Sequence, residues 1–87
     1  MVPAKTKIIN PVGMHMRPAQ LFIKELTPYQ CDVTILFGDK QINGKSIMNL
    51  MAACLKQGSE IEIQCDGPDE QAALDAAVKL IEAGLGE

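Results

Sequence analysis

The sequence contains no tryptophan and few other aromatic residues, which argues against one large class of binding protein. Two phenylalanines and one tyrosine occur in 87 residues, so aromatic residues make up 3% of the chain. Proteins that bind single-stranded nucleic acid usually combine a dense basic groove with aromatic side chains on which the bases stack. We therefore expect no direct binding of nucleic acid.

Long apolar runs are also missing. A membrane-spanning helix needs about 20 consecutive apolar residues, and the opening segment MVPAKTKIIN lacks the continuous apolar region of a signal peptide. Hydrophobic residues make up 47% of the chain, which suffices for one small core but not for two. We predict one domain over residues 1–87, soluble and cytoplasmic, with no membrane insertion.

The chain has one histidine and three cysteines, which are a poor set of metal ligands. Cys31, Cys54 and Cys65 lack the CxxC spacing that is typical of zinc sites. Free cysteines usually pack as small apolar side chains. We therefore expect reduced, mostly buried thiols, with no metal site and no cofactor.

Charge is distributed unevenly along the chain, although the net charge is only −3. Residues 1–58 carry seven basic and three acidic side chains, a balance of +4, whereas residues 59–87 carry one lysine against eight acidic side chains, a balance of −7. The basic part fits an acidic protein partner. Ordinary solvated surface charge remains the alternative.

The spacing of apolar residues predicts the element order βαββαβα. Strands are predicted at 6–9, 31–37, 41–43 and 60–65, and helices from 19 to near 28, from the N-cap Ser46 to near 58, and after the segment DGPDE. This order fits a two-layer α+β sandwich, with helices over one face of an antiparallel sheet.

The single histidine, His15, lies where the first loop enters the first helix. Pro18 is tolerated only in the first turn of a helix, so the helix must begin close to His15. The positive end of the helix dipole favours a neutral imidazole, which is the form that can attack phosphorus. The backbone N–H groups of Met16 and Arg17 and the Arg17 guanidinium suit phosphate oxygens. The pattern favours a covalent phosphoryl acceptor, and a purely structural His15 remains the alternative.

A second motif, NGKSIMNLM, superficially resembles an ATP-binding loop. The P-loop needs a glycine five residues before its second glycine, and Asp39 occupies that position. We therefore expect no ATP binding. Ser46 is predicted to cap the second helix, and its hydroxyl beside Lys45 is also a candidate for a kinase. The spacing leaves both roles open.

The same segment is more apolar than a short helix needs for one buried face. Leu50 and Ile47 can serve the core, which leaves Met48 and Met51 as candidates for an exposed patch. Flexible methionines of this kind suit surfaces that dock several partners. Packing of both methionines in the core is the alternative.

The segments GMHMRPA and GKSIMNLM together resemble HPr, the histidine-containing phosphocarrier of the bacterial phosphoenolpyruvate-dependent sugar phosphotransferase system. The resemblance runs over nearly the whole chain. It implies an open-faced sandwich with a four-stranded antiparallel sheet under three helices. It also implies that enzyme I phosphorylates a ring nitrogen of His15, that Arg17 assists, and that sugar-specific IIA proteins or domains receive the group from a monomeric carrier.

The resemblance further implies regulation and a docking surface. A serine that matches Ser46 is phosphorylated by HPr kinase/phosphorylase in Gram-positive members, and the phosphorylated form is a corepressor of a catabolite-control transcription factor. The docking surface of the family lies on the first two helices and corresponds here to Lys24, Lys45, Ile47, Met48 and Met51.

Two positions depart from the usual family pattern. Met16 replaces the small residue that normally follows the histidine, and Cys54 replaces a glycine at the end of the second helix. The remaining alternative is a regulatory or nitrogen-related paralogue that acts mainly as a catabolite-repression corepressor. The presence of His15 argues against the corepressor-only paralogues, which lack this residue.

Overall fold

The computed structural model describes residues 1–11 and 13–85 and confirms the predicted fold class. The elements are β1 (Val2–Lys7), α1 (Met16–Leu26), β2 (Asp32–Phe37), β3 (Lys40–Asn43), α2 (Ile47–Ala52), β4 (Glu60–Asp66) and α3 (Glu70–Glu82). The strands form one antiparallel sheet in the order β1-β4-β2-β3. The helices cover one face of the sheet, so the core lies between the two layers.

The register of the sheet explains its alternating sequence. One row of paired residues crosses all four strands on the face that the helices cover, namely Ala4, Ile63, Ile35 and Ile42. The isoleucines of this row are at most 4% exposed. The neighbouring row lies on the open face and consists of Lys5, Glu62, Leu36 and Gln41. Successive strand residues point to opposite faces, which is why polar and apolar residues alternate in β4.

Each helix buries one face against the sheet. The buried helix residues are Pro18, Ala19, Phe22 and Leu26 in α1, Leu50 in α2, and Ala73, Leu74, Ala77 and Ile81 in α3. Their spacing of three or four residues places them on one side of each helix. No helix in the described part of the chain is long and apolar enough to cross a membrane.

The first strand begins and ends earlier than predicted. It covers Val2–Lys7 instead of 6–9. Its inward residues Val2, Ala4 and Thr6 are small and only half-buried, because β1 is an edge strand. They therefore give a weak hydrophobic signal. Ile8 is fully buried but lies beyond the strand, where its N–H donates to the carbonyl of Ser59 at 2.9 Å.

The second helix is shorter than predicted. It ends at Ala52, so Gly58 does not lie directly after it. The chain leaves the helix through Cys54, whose φ of 55° is left-handed, and Leu55 then enters the core. The expectation that the thiols are mostly buried holds for Cys31 and Cys65, but Cys54 is exposed.

Candidate functional site

His15 occupies the N-cap position of α1. Its backbone is extended, with φ −101° and ψ −166°, and its carbonyl accepts the N–H of Ala19 at 2.9 Å. The imidazole is exposed and makes no capping bond to the first turn. Met16 and Arg17 follow as the first two residues of the helix, so no earlier turn supplies acceptors for their N–H groups. Pro18 lies in the same turn, as the sequence predicted, and it is buried.

The loop that precedes His15 is closed by a buried asparagine. The Asn10 side-chain amide donates to the carbonyl of Gly13 at 2.7 Å, and the Gly13 N–H donates to the Asn10 carbonyl at 3.0 Å. Asn10 is only 2% exposed. These two bonds fix the turn two residues before the histidine.

Backbone hydrogen bonds to the segment after α2 also hold this loop in place. The Met14 N–H donates to the Leu55 carbonyl at 2.8 Å, and the Gly58 N–H donates to the Ile8 carbonyl at 2.7 Å. Gly13 has a φ of 69°, and a Cβ at this position would overlap the Leu55 carbonyl oxygen. Gly13 is therefore required both by its conformation and by the closeness of the two segments.

The sequence-based prediction did not identify Asn10 and Leu55 as supports of the His15 loop. A signal for Asn10 existed, because an asparagine before proline in a turn commonly bonds to nearby backbone. No local signal exists for Leu55, because its contact with Met14 joins segments that are distant in sequence.

Ser46 is the N-cap of α2, as predicted. Its hydroxyl oxygen accepts the backbone N–H of Asn49 at 3.3 Å and the side-chain amide of Asn49 at 2.9 Å. The serine is half-buried. Asn49 was not singled out from the sequence, although its position three residues after the cap places its N–H in the usual location for such a bond.

The two predicted docking lysines differ in their surroundings. Lys24 is exposed in the last turn of α1. The amine of Lys45 donates to the Tyr29 carbonyl at 2.6 Å, just beyond the end of α1, and its own backbone N–H donates to Asn43 Oδ1 at 3.0 Å. Lys45 thus ties the start of α2 to the end of α1.

The apolar residues of the predicted docking surface also divide into two groups. Met48 is 77% exposed, and Met16, which was predicted to bind phosphate and not to belong to this surface, is 49% exposed. Ile47 and Met51 are half-buried and pack against the core. Met51 therefore lies partly in the core and partly at the surface, which combines the two alternatives that the sequence left open. Met48 lies almost wholly at the surface. Helices α1 and α2, which carry these side chains, pack against each other.

Two clefts in the described residues are not lined by His15. One lies near Lys5, Ile9 and Glu62, and the other lies between Pro3 and α3. Small-molecule sites are usually concave, so an exposed imidazole outside these clefts suits contact with another protein. Residues 1–11 and 13–85 also hold no group of three or more histidine, cysteine or acidic residues able to bind a metal ion.

Comparison with known proteins gives one consistent answer. The family model described as the phosphorylation site of the HPr component of the phosphotransferase system matches residues 2–83. Phosphocarrier protein HPr of Mycoplasma capricolum is 46% identical over 69 residues, which cover 79% of this chain and 78% of the relative. The crystal structure of an HPr from Thermoanaerobacter tengcongensis superposes with a TM-score of 0.95 at 34% identity, and covers 100% of this chain and 98% of that one.

A further structural relative has a different form. The Bacillus subtilis catabolite repression protein Crh is 33% identical and superposes with a TM-score of 0.78, with 97% of each chain covered. Its crystal structure is described as a dimer with a swapped domain. Dimers therefore occur among the solved structures that this chain resembles.

Proposed function

The chain belongs to the HPr family of phosphocarrier proteins, and we propose that His15 is the residue that carries the phosphoryl group. The observation that carries this proposal is the position of His15 at the N-cap of α1. The imidazole is exposed there, while the backbone on either side is held by the core. A side chain that must be presented to two successive partners needs both properties.

The proposed reaction is one phosphoryl exchange at a ring nitrogen of His15. The nitrogen lone pair forms a bond to phosphorus while the bond between phosphorus and the donor group of enzyme I breaks. Transfer to a sugar-specific IIA protein or domain is the same exchange in reverse, with an acceptor on that partner as nucleophile. No cofactor takes part, because donor and acceptor are both protein groups.

Met16 and Arg17 supply the electrostatic part of the mechanism. Their backbone N–H groups lie at the start of α1, which is 11 residues long and carries positive partial charge at this end. The exposed Arg17 guanidinium can pair with two phosphate oxygens. Charge on the oxygens of the transferring group is stabilised by donors that are already in place.

The docking surface is proposed to consist of Lys24, Lys45, Ile47, Met48 and Met51 on α1 and α2. Met48 supplies exposed apolar area and Lys24 supplies positive charge for acidic partners. Ser46 lies beside this surface. Its phosphorylation by HPr kinase/phosphorylase would place a negative charge next to Ile47 and Met48, so we expect weaker docking of acidic partners.

The alternative function is that of a corepressor paralogue, which the similarity to Crh favours. In that case the Ser46-phosphorylated form would act mainly on a catabolite-control transcription factor. We favour the carrier, because this chain has His15, which the corepressor-only paralogues lack. The carrier is proposed to act in the cytoplasm as a monomeric single domain of residues 1–87.

Incubation with phosphoenolpyruvate and enzyme I tests the proposal. The protein should gain one acid-labile phosphoryl group, and mass spectrometry of peptides kept at alkaline pH should place it on His15. Arg17→Ala should transfer more slowly while its thermal midpoint stays unchanged, because an exposed charge contributes little to stability. Phosphorylation elsewhere, or no phosphorylation, would contradict the carrier function and favour the corepressor.

Titration calorimetry with enzyme I tests the docking surface. Met48→Asp should weaken binding, because it places a charge in the apolar contact. Ala72→Asp is the matched control, since it adds the same charge at an exposed position of α3. Equal affinities of the two variants would remove Met48 from the docking surface.

A further inference from the structure

The methionines of this chain differ widely in exposure. Met48 is 77% exposed, the N-terminal Met1 67% and Met16 49%, whereas Met14 is 3% exposed. Met48 belongs to the proposed docking surface, and Met16 follows His15 as the first residue of α1. We propose that Met48, and to a lesser degree Met16, is a site of reversible oxidation by peroxide, and that the sulfoxide weakens the docking of phosphotransfer partners.

Exposure decides which thioethers a peroxide in solution reaches. Met48 lies in the short helix α2, and 77% of the residue is exposed. Met14 lies in the same region of the fold, but its side chain is buried in the core. The two residues therefore provide an exposed and a protected thioether within one molecule.

The thiols of the three cysteines could also react with peroxide, and they differ in how readily they do so. Burial raises the pKa of the Cys65 thiol to about 12, with a further contribution from the neighbouring Cys31. Burial, followed by the charge of Asp69, also raises the pKa of Cys31. Both residues remain in the thiol form near neutral pH, which reacts poorly with peroxide. Cys54 is exposed and is the one cysteine that a test must separate from the methionines.

The reaction needs only a peroxide as oxidant. The sulfur lone pair of Met48 attacks one oxygen of hydrogen peroxide, the O–O bond breaks, and a sulfur–oxygen bond forms. The second oxygen leaves as water after proton transfer. Sulfur loses two electrons and the peroxide gains them. Methionine sulfoxide reductases restore the thioether, so the modification is reversible.

Oxidation changes the character of the docking surface. The thioether is flexible and apolar, whereas the sulfoxide is polar and accepts hydrogen bonds. A partner that buries Met48 would have to remove water from the sulfoxide without a matched donor. This consequence depends on the proposed function, because it assumes that enzyme I docks on this surface.

Peptide mass spectrometry after brief treatment with hydrogen peroxide tests the chemical step. Met48 should be oxidised several-fold faster than Met14, with Met16 between them. After removal of peroxide, the KM for phosphotransfer from enzyme I should rise roughly ten-fold, which corresponds to the loss of one buried apolar contact. The thermal midpoint of the oxidised protein should stay unchanged. Equal oxidation of Met48 and Met14, an unchanged KM, or early unfolding would each overturn the proposal.

Reversal identifies the responsible sulfur. Dithiothreitol alone reverses sulfenic acids and disulfides of Cys54, whereas methionine sulfoxide reductases A and B are needed for Met48. Recovery should require the reductases, and recovery with dithiothreitol alone would overturn the proposal. After peroxide treatment, the Met48→Leu variant should lose a much smaller fraction of its own untreated phosphotransfer rate than the unmodified chain loses. An equal fractional loss in the two proteins would also overturn the proposal.

The untreated protein separates this inference from the proposed function. If it accepts a phosphoryl group and oxidation leaves docking unchanged, the carrier function stands and the oxidation proposal fails. If the untreated protein accepts none, the carrier function fails, and the effect on docking fails with it.

Discussion

The N-caps of α1 and α2 use their side chains in different ways. At α2 the Ser46 hydroxyl caps the helix itself, through two bonds from Asn49. At α1 the His15 side chain makes no capping bond. The position of His15 is set instead by the backbone before it, which is bonded to Leu55 and closed by Asn10. The fold holds the main chain at one cap and employs the side chain at the other.

This difference has a consequence for chemistry at the two sites. A phosphoryl group on His15 changes a side chain that the helix does not need as a cap. A phosphoryl group on Ser46 is attached to the capping oxygen itself, next to the donors of Asn49. Modification at Ser46 therefore affects local structure and surface charge together, whereas modification at His15 should leave the helix as it is.

Replacement of His15 by alanine should have the largest effect on function and little effect on stability. His15→Ala should abolish phosphoryl acceptance, because the nucleophilic nitrogen is lost. Its free energy of unfolding should change by less than about 0.5 kcal/mol, since the side chain is exposed. Phosphotransfer from enzyme I and urea denaturation measure the two effects. Residual uptake of an acid-labile phosphoryl group would contradict the role of His15.

The contacts that hold the His15 loop against Leu55 should be disrupted when Gly13 gains a side chain. Gly13→Ala should lower the free energy of unfolding by about 3 kcal/mol, because it adds a left-handed alanine and an overlap with the Leu55 carbonyl. Phosphotransfer should also slow, since the loop must move to relieve the overlap. Urea denaturation and the phosphotransfer rate measure the result.

Gly38→Ala is the matched control for this variant. Gly38 has a similar φ of 62°, but no atom lies near the position of its Cβ. It should therefore cost about 1 kcal/mol, from backbone conformation alone. Equal losses in the two variants would show that the overlap of the new methyl group with Leu55 does not lower stability.

The capping role of Ser46 should appear as a moderate loss of stability. Ser46→Ala should lower the free energy of unfolding by about 1 kcal/mol, because the acceptor for Asn49 is removed. Ser46→Asp keeps an acceptor and should retain the thermal midpoint, while its charge raises the KM for enzyme I. Denaturation and steady-state phosphotransfer separate the two effects. A Ser46→Asp variant that lowers kcat at constant KM would indicate a conformational route to His15 instead of weaker docking.

Much of the fold could be predicted, because most of its elements carry a local pattern. The strict alternation in β4 and the helical spacing of Phe22 and Leu26 each follow from which face is buried. The first strand was predicted, but its bounds were wrong, because half-buried Val2, Ala4 and Thr6 give little contrast. The prediction also extended α2 too far, because the apolar residues Ala53 and Leu55 enter the core from irregular backbone.

The residues of the candidate site that have a local sequence signal could be predicted, and those that depend on distant contacts could not. His15, Arg17 and Ser46 follow from short motifs, because helix starts and phosphate chemistry have local signatures. The support from Leu55 depends on backbone contacts between distant segments, and such contacts leave no mark in residue spacing. The exposures of Met48 and Met51 could not be separated either, because both fit the same apolar face until the helix is placed on the sheet.

The smallest expected effect concerns Cys54, which precedes the anchor residue Leu55. Its φ of 55° is unfavourable for a residue with a side chain, so Cys54→Gly should relieve strain. Because glycine also adds freedom to the unfolded chain, the net gain should be only about 0.5 kcal/mol in urea denaturation. Cys54→Ala keeps the backbone strain and removes only the sulfur, so its stability should stay near that of the unmodified chain. A larger gain in the free energy of unfolding for alanine than for glycine would mean that the thiol, and not the left-handed backbone, is the unfavourable feature beside Leu55.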